Sequence, residues 1–328
     1  MKCFLTGATG HVGCTLAREL LSRGHSVVAY VRSTSDISSL AGLNIEYAYG
    51  DITDPFSMEP YIISCDIIFH IAGFVDIGSG NLDKLYNINV RGTKAVADLC
   101  LKHKKRLLYM SSVHAIHELP EGQTMREITD FSPDKIHGNY GKTKAEATAY
   151  VYSLKKNGLD FVIVHPSGIV GPYEYRISSL GQFIISYSTG KLPSYIDGMY
   201  NFVDVRDVCC ATAEAAFRAR SGECYLLTGE CVSVRQLLDI MNDITGIKQP
   251  RIKTPYNLAL WISPVFELCS KIAGKPPLFT PYSVRTLRSN GAFDNTKART
   301  QLGFSPRPIY ETVNDTYEWL KQNGKIAE

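Results

Sequence analysis

A chain of 328 residues, 45% hydrophobic and 20% charged, has the composition of an ordinary globular protein with material for a large buried core. Its formal net charge of +3 is too small to imply nucleic-acid binding, and no run of about 18 apolar residues occurs, so no integral membrane association is expected. The 9 cysteines are odd in number and scattered, without C-x-x-C or zinc-like spacing, which favours reduced thiols in a cytoplasmic protein and no metal site.

Met1 and Lys2 run straight into an apolar strand, leaving no room for a signal or transit peptide. From there, short β-rich runs alternate with helix-period segments. Lys2–Thr6, Ser26–Val31, Ile45–Gly50, Ile67–Ala72, Arg106–Ser111 and Phe161–His165 read as buried strands. Val12–Arg23, Leu82–His103 and Tyr140–Asn157 read as helices between them. This alternation implies an α/β fold, a doubly wound parallel sheet. The basic run Lys102–Arg106 falls where a helix should end, facing the negative end of its dipole.

After His165 the rhythm breaks, and turn formers cluster at Pro166–Pro172, Gly190–Pro193 and Asp197–Gly198. Helices are expected at Val205–Ala219, Ser233–Thr245 and Tyr310–Asn323, with a strand at Cys224–Thr228. Leu258–Ile272 reads as an amphipathic helix covering a core or touching a membrane surface. The expected organisation is a Rossmann core over 1–165, which the chain re-enters near 201–228, and a smaller, mainly substrate-binding lobe over 166–328.

Thr6-Gly7-Ala8-Thr9-Gly10-His11-Val12-Gly13 carries three glycines at G-x-x-G-x-x-G spacing, directly after a strand and opening a helix. A tight first turn and close approach of backbone to a pyrophosphate exclude side chains there, and the helix N-terminus offers free N–H groups to phosphates. The second strand ends in Tyr30-Val31-Arg32-Ser33-Thr34, with no acid before Asp36. An acid at that place would suit a ribose 2′-hydroxyl; Arg32 suits a 2′-phosphate, so NADP (NADPH) is favoured and NAD remains open.

Tyr140-Gly141-Lys142-Thr143-Lys144 contains Y-x-x-x-K at the start of a helix, which places phenol and ammonium on one face. A nearby Lys144 cation is expected to lower the phenol's pKa from its ordinary value of about 10, making Tyr140 a usable acid and base. Ser111-Ser112 ends the preceding strand at the carboxyl edge, where open α/β sheets bind ligands, so Ser112 can hold a substrate oxygen beside Tyr140.

TGATGHVG, GDITD, HIAG, NVRGT, MSSV, YGKTK, HPSGIVGP and FVDVRDV follow one another in the order seen in extended short-chain dehydrogenases/reductases. The chain resembles that group, the NAD-dependent epimerase/dehydratase superfamily, and within it the dihydroflavonol-reductase-like and 3β-hydroxysteroid-dehydrogenase-like branches. The resemblance covers nearly the whole chain and is specific up to about Val208. It implies Ser112 as the catalytic hydroxyl, Tyr140 as acid/base, and Lys144 as a second catalytic residue that also binds the nicotinamide ribose. It further implies adenine contacts from Asp51 and Ile52, a cofactor-flanking loop at Ala72 and Gly73, and a nicotinamide-side segment of Pro166, Ser167 and Ile169. Asn89 matches a buried prop between central helices, and helices 82–103 and 140–157 resemble a pair that forms homodimers.

The substrate is expected to be a small-molecule ketone or aldehyde, or the alcohol in reverse, of medium to large apolar character. Phe74, Asp76, His114 and Tyr187 are the candidate contacts, with Phe183, Ile184 and Met199 as further apolar lining. Two alternatives stand beside this reading. One is a nucleotide-sugar epimerase or dehydratase with bound NAD, for which Arg176, Lys191 and Arg251 are available cations. The other is a non-catalytic NADP-binding regulatory protein. His114 and His117 lack a third ligand for a metal, and Asp204 and Asp207 read as caps of the helix that begins there.

Overall fold

Side chains in β1 (Lys2–Thr6) alternate between two apolar layers: Cys3 and Leu5 enter one, Phe4 the other. The computed structural model describes residues 1–75, 81–272 and 280–326, the side chains of 266–272 excepted. Asp76 therefore lies outside the described residues.

After β1 come α1 (His11–Ser22), β2 (Ser26–Val31), β3 (Glu46–Tyr49), α2 (Pro55–Ser64), β4 (Ile67–His70), α3 (Leu82–Leu85), α4 (Thr93–Lys102), β5 (Arg106–Met110), α5 (Asn139–Ser153) and β6 (Phe161–Pro166). The second half holds β7 (Gly168–Val170), α6 (Ser179–Ser188), β8 (Ser194–Tyr195), β9 (Met199–Asp204), α7 (Val205–Arg218), β10 (Glu223–Leu227), β11 (Glu230–Ser233), α8 (Val234–Thr245), β12 (Ile252–Lys253), α9 (Tyr256–Ile272), α10 (Pro281–Thr286), α11 (Thr296–Leu302) and α12 (Ile309–Gln322). Seven strands form one parallel sheet in the order β10-β6-β5-β4-β1-β2-β3. Helices α1, α7 and α11 pack on one face, and α2, α4 and α5 on the other. With both faces covered, the strands bury nearly every side chain, and each large one contributes about 1.5–3 kcal/mol.

A three-stranded sheet, β11-β9-β7, and the short pair β12-β8 lie beyond the large sheet. Helices α6, α8 and α12 enclose a separate apolar cluster that includes Ile184, Tyr187, Leu238, Met241, Val313 and Leu320. The doubly wound sheet expected from the sequence is present, and strand order reverses between β1 and β4, the crevice where such sheets bind ligands.

One expectation about elements is corrected. The helix expected to run unbroken over 82–103 is interrupted by a π-helical stretch, Tyr86–Gly92, between α3 and α4. Asn89 lies within it, its side chain bonded outward, and Gly92 sits where a Cβ would approach the Ile52 side chain to 2.7 Å. Helix α2 carries a start signal of Asp54 followed by Pro55, and the Asp54 carboxylate caps it by accepting from Phe56 N–H. That signal was legible but is absent from the sequence reading. Pro264 lies inside α9 without ending it: the Leu260 carbonyl that a residue-264 N–H would have met accepts from Ser263 Oγ at 2.9 Å.

Candidate functional site

The loops after β1 and β4 meet at the switch point. Gly7 has φ +72°, and a Cβ there would stand 2.7 Å from the Ala72 nitrogen. At Gly13 a Cβ would stand 2.1 Å from the Gly7 carbonyl oxygen, so α1 can approach the turn only without a side chain. Gly10 is the N-cap of α1 and offers no side chain to its N–H groups, and no acid lies in the first turn. The first N–H groups of the helix therefore present their donors to a ligand, with the positive dipole end behind them. Thr9 contributes its carbonyl to Ser39 Oγ, and Val12 packs against the core. His11 turns its ring away, with Nε2 2.9 Å from the Pro172 carbonyl oxygen, so its place in the loop is through its backbone.

Arg32 stands exposed just past β2. Asp51 follows β3, and its carboxyl is held below the ordinary range by hydrogen bonds from Thr53, with the Arg32 charge helping. Ile52 rests over Gly92. Ala72 N–H donates to Thr6 Oγ1, which also lies 2.8 Å from His70 Nδ1. His70 Nε2 lies 2.9 Å from Thr93 Oγ1, so a buried Thr6–His70–Thr93 chain ties the cofactor-side loop to α4. Burial depresses the His70 pKa to about 3, with the Lys144 charge adding to it, and the ring stays neutral. This prop escaped the sequence reading, although His70 stands in the HIAG run.

Ser111 and Ser112 diverge as they leave β5. Ser111 Oγ lies 2.7 Å from Thr148 Oγ1 in α5, a packing role. Ser112 Oγ accepts from His114 N–H, and it lies near enough to the Tyr140 hydroxyl to lower that group's pKa. Lys144, one turn along α5, donates from Nζ to the Met110 carbonyl at 2.9 Å. Gly73 faces it: a Cβ there would lie 3.3 Å from Nζ. Asn89 accepts from Phe74 N–H, donates to the Phe74 carbonyl and donates to Thr143 Oγ1, tying the β4 loop to α5.

The electrostatics correct one expectation. Tyr140 is 9% exposed, and burial pushes its hydroxyl up to about 12, against a smaller lowering by Ser112. Burial likewise holds Lys144 down to about 8. Desolvation outweighs the attraction that was expected to bring the phenol below its ordinary value, and the Lys144 ammonium is spent on a backbone carbonyl.

His114 forms the roof of this cluster. Its Nε2 lies 2.7 Å from Tyr200 Oη and its Nδ1 3.3 Å from Tyr282 Oη, and its ring meets that of Tyr140 edge-on at 6.0 Å. Burial lowers its pKa to about 4, so the neutral ring links two phenols as one donor and one acceptor. Tyr282 lies over Gly138, where a Cβ would come within 2.7 Å of its ring, and Tyr200 lies over Gly168 in the same way at 2.5 Å. Neither tyrosine carried a sequence signal, because each reaches the site from a distant segment of unremarkable composition.

Pro166 ends β6, Ser167 Oγ is buried without a hydrogen-bond partner among the described residues, and Ile169 in β7 packs on the core. An orphaned hydroxyl at this edge suits a polar ligand atom. Phe74 lies under Lys84 Nζ, 4.5 Å from the ring centroid.

Tyr187 is a correction. It is 2% exposed within the α6–α8–α12 cluster and donates its hydroxyl to the Ile247 carbonyl at 2.6 Å, and Ile184 is buried beside it. The apolar face of α6 is turned into that core rather than toward Tyr140. Asp204 caps α7 by accepting from Arg206 N–H, and Asp207 pairs with Arg307, so both serve structure.

The model of the NAD dependent epimerase/dehydratase family matches residues 3–226. Sterol demethylase protein B of Methylococcus capsulatus is 32% identical over 329 residues, covering 99% of this chain and 100% of that protein. A putative dihydroflavonol 4-reductase of Synechocystis sp. is 30% identical over 328 residues, covering 98% and 95%. Among solved structures, the crystal structure of gox2253 superposes with a TM-score of 0.86 at 32% identity, covering 100% of this chain and 99% of that one.

Proposed function

From the premise that the chain belongs to the NAD dependent epimerase/dehydratase family and is an NAD(P)-dependent oxidoreductase, we propose that it uses NADP(H) to interconvert a ketone and a secondary alcohol on a medium to large apolar substrate. The observation that carries the reading is the meeting of Ser112, Tyr140 and Lys144 beside the glycine turn at the switch point.

The residues fit a dinucleotide. Gly7 and Gly13 leave a cradle that any Cβ would fill, α1 opens with uncapped donors, and the buried Ser167 hydroxyl has no partner among the described residues. With the Gly10 N–H bonded to the Gly7 carbonyl, the N–H groups from His11 to Gly13 would hold the pyrophosphate, Arg32 the 2′-phosphate, Asp51 and Ile52 the adenine, and Ala72, Gly73, Pro166, Ser167 and Ile169 the nicotinamide end. Bound there, the cofactor supplies or accepts the hydride.

This chain's own residues do the rest. Ser112 donates a hydrogen bond to the substrate oxygen and fixes it beside the phenol. Tyr140 gives its proton to that oxygen as negative charge develops, or takes one in reverse. A phenol held near 12 is a reluctant acid alone, so the cation at Lys144 matters for the charge it brings to the phenolate side of the exchange. His114, Tyr200 and Tyr282 exclude water above the reacting oxygen.

The apolar substrate class is supported by the names of the two relatives, a sterol demethylase protein and a dihydroflavonol reductase, and by the aromatic roof. The test is NADPH oxidation measured over aldehydes, flavonoid ketones and steroid ketones, with UDP-sugars in parallel. Turnover of an apolar ketone with NADPH is the expected result. Activity confined to a UDP-sugar, with tightly retained NAD, would overturn it.

A further inference from the structure

Helix α9 presents an apolar stripe to solvent. Leu258, Trp261 and Val265 recur at helical spacing along one side, and Trp261 is 80% exposed. The opposite side is anchored: Ala259 packs with Ile196 of the β8–β9 turn and Val284 of α10, with Tyr256, Leu260 and Leu287 around them. The stripe is therefore a surface of a docked helix and not an unfolded remnant.

The chain leading into this helix is cationic. Between Gly246 and Val265 stand Lys248, Arg251 and Lys253, all exposed, and no acidic residue. Arg235 of α8 lies close enough to Lys253 for its charge to be felt, and Arg288 stacks on Tyr256 at 3.6 Å. Two acids face this segment among the described residues: Asp197, paired with Lys253, and Asp239 of α8, which accepts from Gln249, so Lys248 and Arg251 carry the unpaired charge. An indole and two aliphatic side chains flanked by cations suit the boundary between acyl chains and anionic headgroups. A second copy of this chain suits it poorly, because a two-fold contact through the stripe would bring the same cations against one another.

We propose that the face formed by Leu258, Trp261 and Val265, with the exposed Lys248 and Arg251 in the segment that leads into the helix, docks this protein on an anionic lipid bilayer as an interfacial helix. The same helix packs on α10, which carries Tyr282 over the catalytic cluster. A bilayer-held apolar molecule would thus be presented next to the roof of the site. Docking itself rests on the surface alone and is independent of the redox reading.

The test uses the full chain and vesicles, and needs no turnover. Wild-type protein is expected to sediment with phosphatidylglycerol–phosphatidylcholine vesicles and less with pure phosphatidylcholine, with a blue shift and bromolipid quenching of Trp261 emission. Trp319, packed 5.1 Å from Tyr175, serves as the unshifted internal reference. Trp261→Ser should lower the partition coefficient by about tenfold or more, and Lys248→Glu with Arg251→Glu should remove the preference for phosphatidylglycerol. Both variants should melt like wild type, since the replaced side chains are exposed. Wild-type failure to sediment with either vesicle, equal binding by Trp261→Ser, or a lipid-independent dimer abolished by Trp261→Ser in sedimentation velocity would each overturn the proposal.

Discussion

Two interiors of this molecule are built on opposite terms. At the carboxyl edge of the large sheet, Thr6, His70, Thr93, Ser111, Ser112, Lys144 and Thr148 are buried polar groups, most of them paired with one another. In the cluster of α6, α8 and α12 the buried groups are mainly aliphatic, with the Tyr187 phenol and the Thr316 hydroxyl each satisfied by a backbone carbonyl. A buried polar group costs free energy wherever it lacks a partner, and a paired one contributes less than a large apolar side chain in its place, so the first interior is less stable per residue than an apolar one of equal size. Among the described residues it also keeps buried atoms without partners, the hydroxyls of Tyr109 and Ser167 and Nε2 of His165, against one such atom, Glu174 Oε2, beside α6. The difference teaches where chemistry was favoured over packing: the edge sacrifices stability to hold charges and protons, and the lobe buttresses it.

Breaking the polar interior should cost function before it costs folding. Tyr140→Phe removes the proposed proton donor while filling the same space, so turnover should fall by roughly 10²–10⁴. NADPH binding, followed by cofactor fluorescence, should stay within a few-fold of wild type. Retained turnover would end the assignment of Tyr140 as the acid.

Lys144→Met sharpens the contrast, because activity and stability should move in opposite directions. The folded-state pKa of Lys144 is lowered to about 8 from 10.5. Between those values the unfolded chain binds the proton and the folded one does not, so this group makes wild-type stability rise with pH across that window. Below about pH 8 the buried cation costs about 3 kcal/mol, of which about 1 kcal/mol is regained through the bond to the Met110 carbonyl. The variant should be nearly inactive yet unfold at higher denaturant at pH 7, and the gap should narrow as pH rises through 8 toward 10.5. A variant less stable than wild type at pH 7 would show that Lys144 is held by stronger interactions than burial allows.

Arg32→Ala tests the outer end of the same edge. A charge-assisted bond to a 2′-phosphate contributes roughly 1.5–3 kcal/mol, so KM for NADPH should rise about ten- to a hundredfold while that for NADH stays put. Equal changes for both cofactors would remove the argument for NADP.

The edge was legible and the lobe was not, for a physical reason. Gly7, Gly10 and Gly13 follow a strand and open a helix, so their backbone conformation and the direction of that helix are dictated together. Ser112, Tyr140 and Lys144 are tied to β5 and α5 by position, and helical spacing orients the last two. Tyr187 had only its composition to speak for it: an apolar helix can turn the same residues to a ligand or to a neighbour, and α8 and α12 decided the matter. The roof was hidden for another reason. His114 drew attention as a loop histidine, but Tyr200 and Tyr282 are brought to it by β9 and α10 from far along the chain, a convergence that no local pattern encodes. The π-helical stretch at Tyr86–Gly92 likewise depends on the Asn89 amide bonding across to Phe74, which helix periodicity does not report.

The smallest expected effect lies in the lobe and separates buttress from site. Tyr187→Phe keeps the ring in its apolar cluster and removes only the hydroxyl that donates to the Ile247 carbonyl. One net hydrogen bond contributes about 1 kcal/mol, and the orphaned carbonyl sits at the half-buried end of α8, where water can partly replace the donor. The midpoint of urea unfolding should therefore drop by an amount equivalent to about 1 kcal/mol, with kcat and KM unchanged for any ketone the protein reduces. A changed KM without a change in unfolding would return Tyr187 to the substrate, because a side chain acting through the core must alter stability before it alters binding.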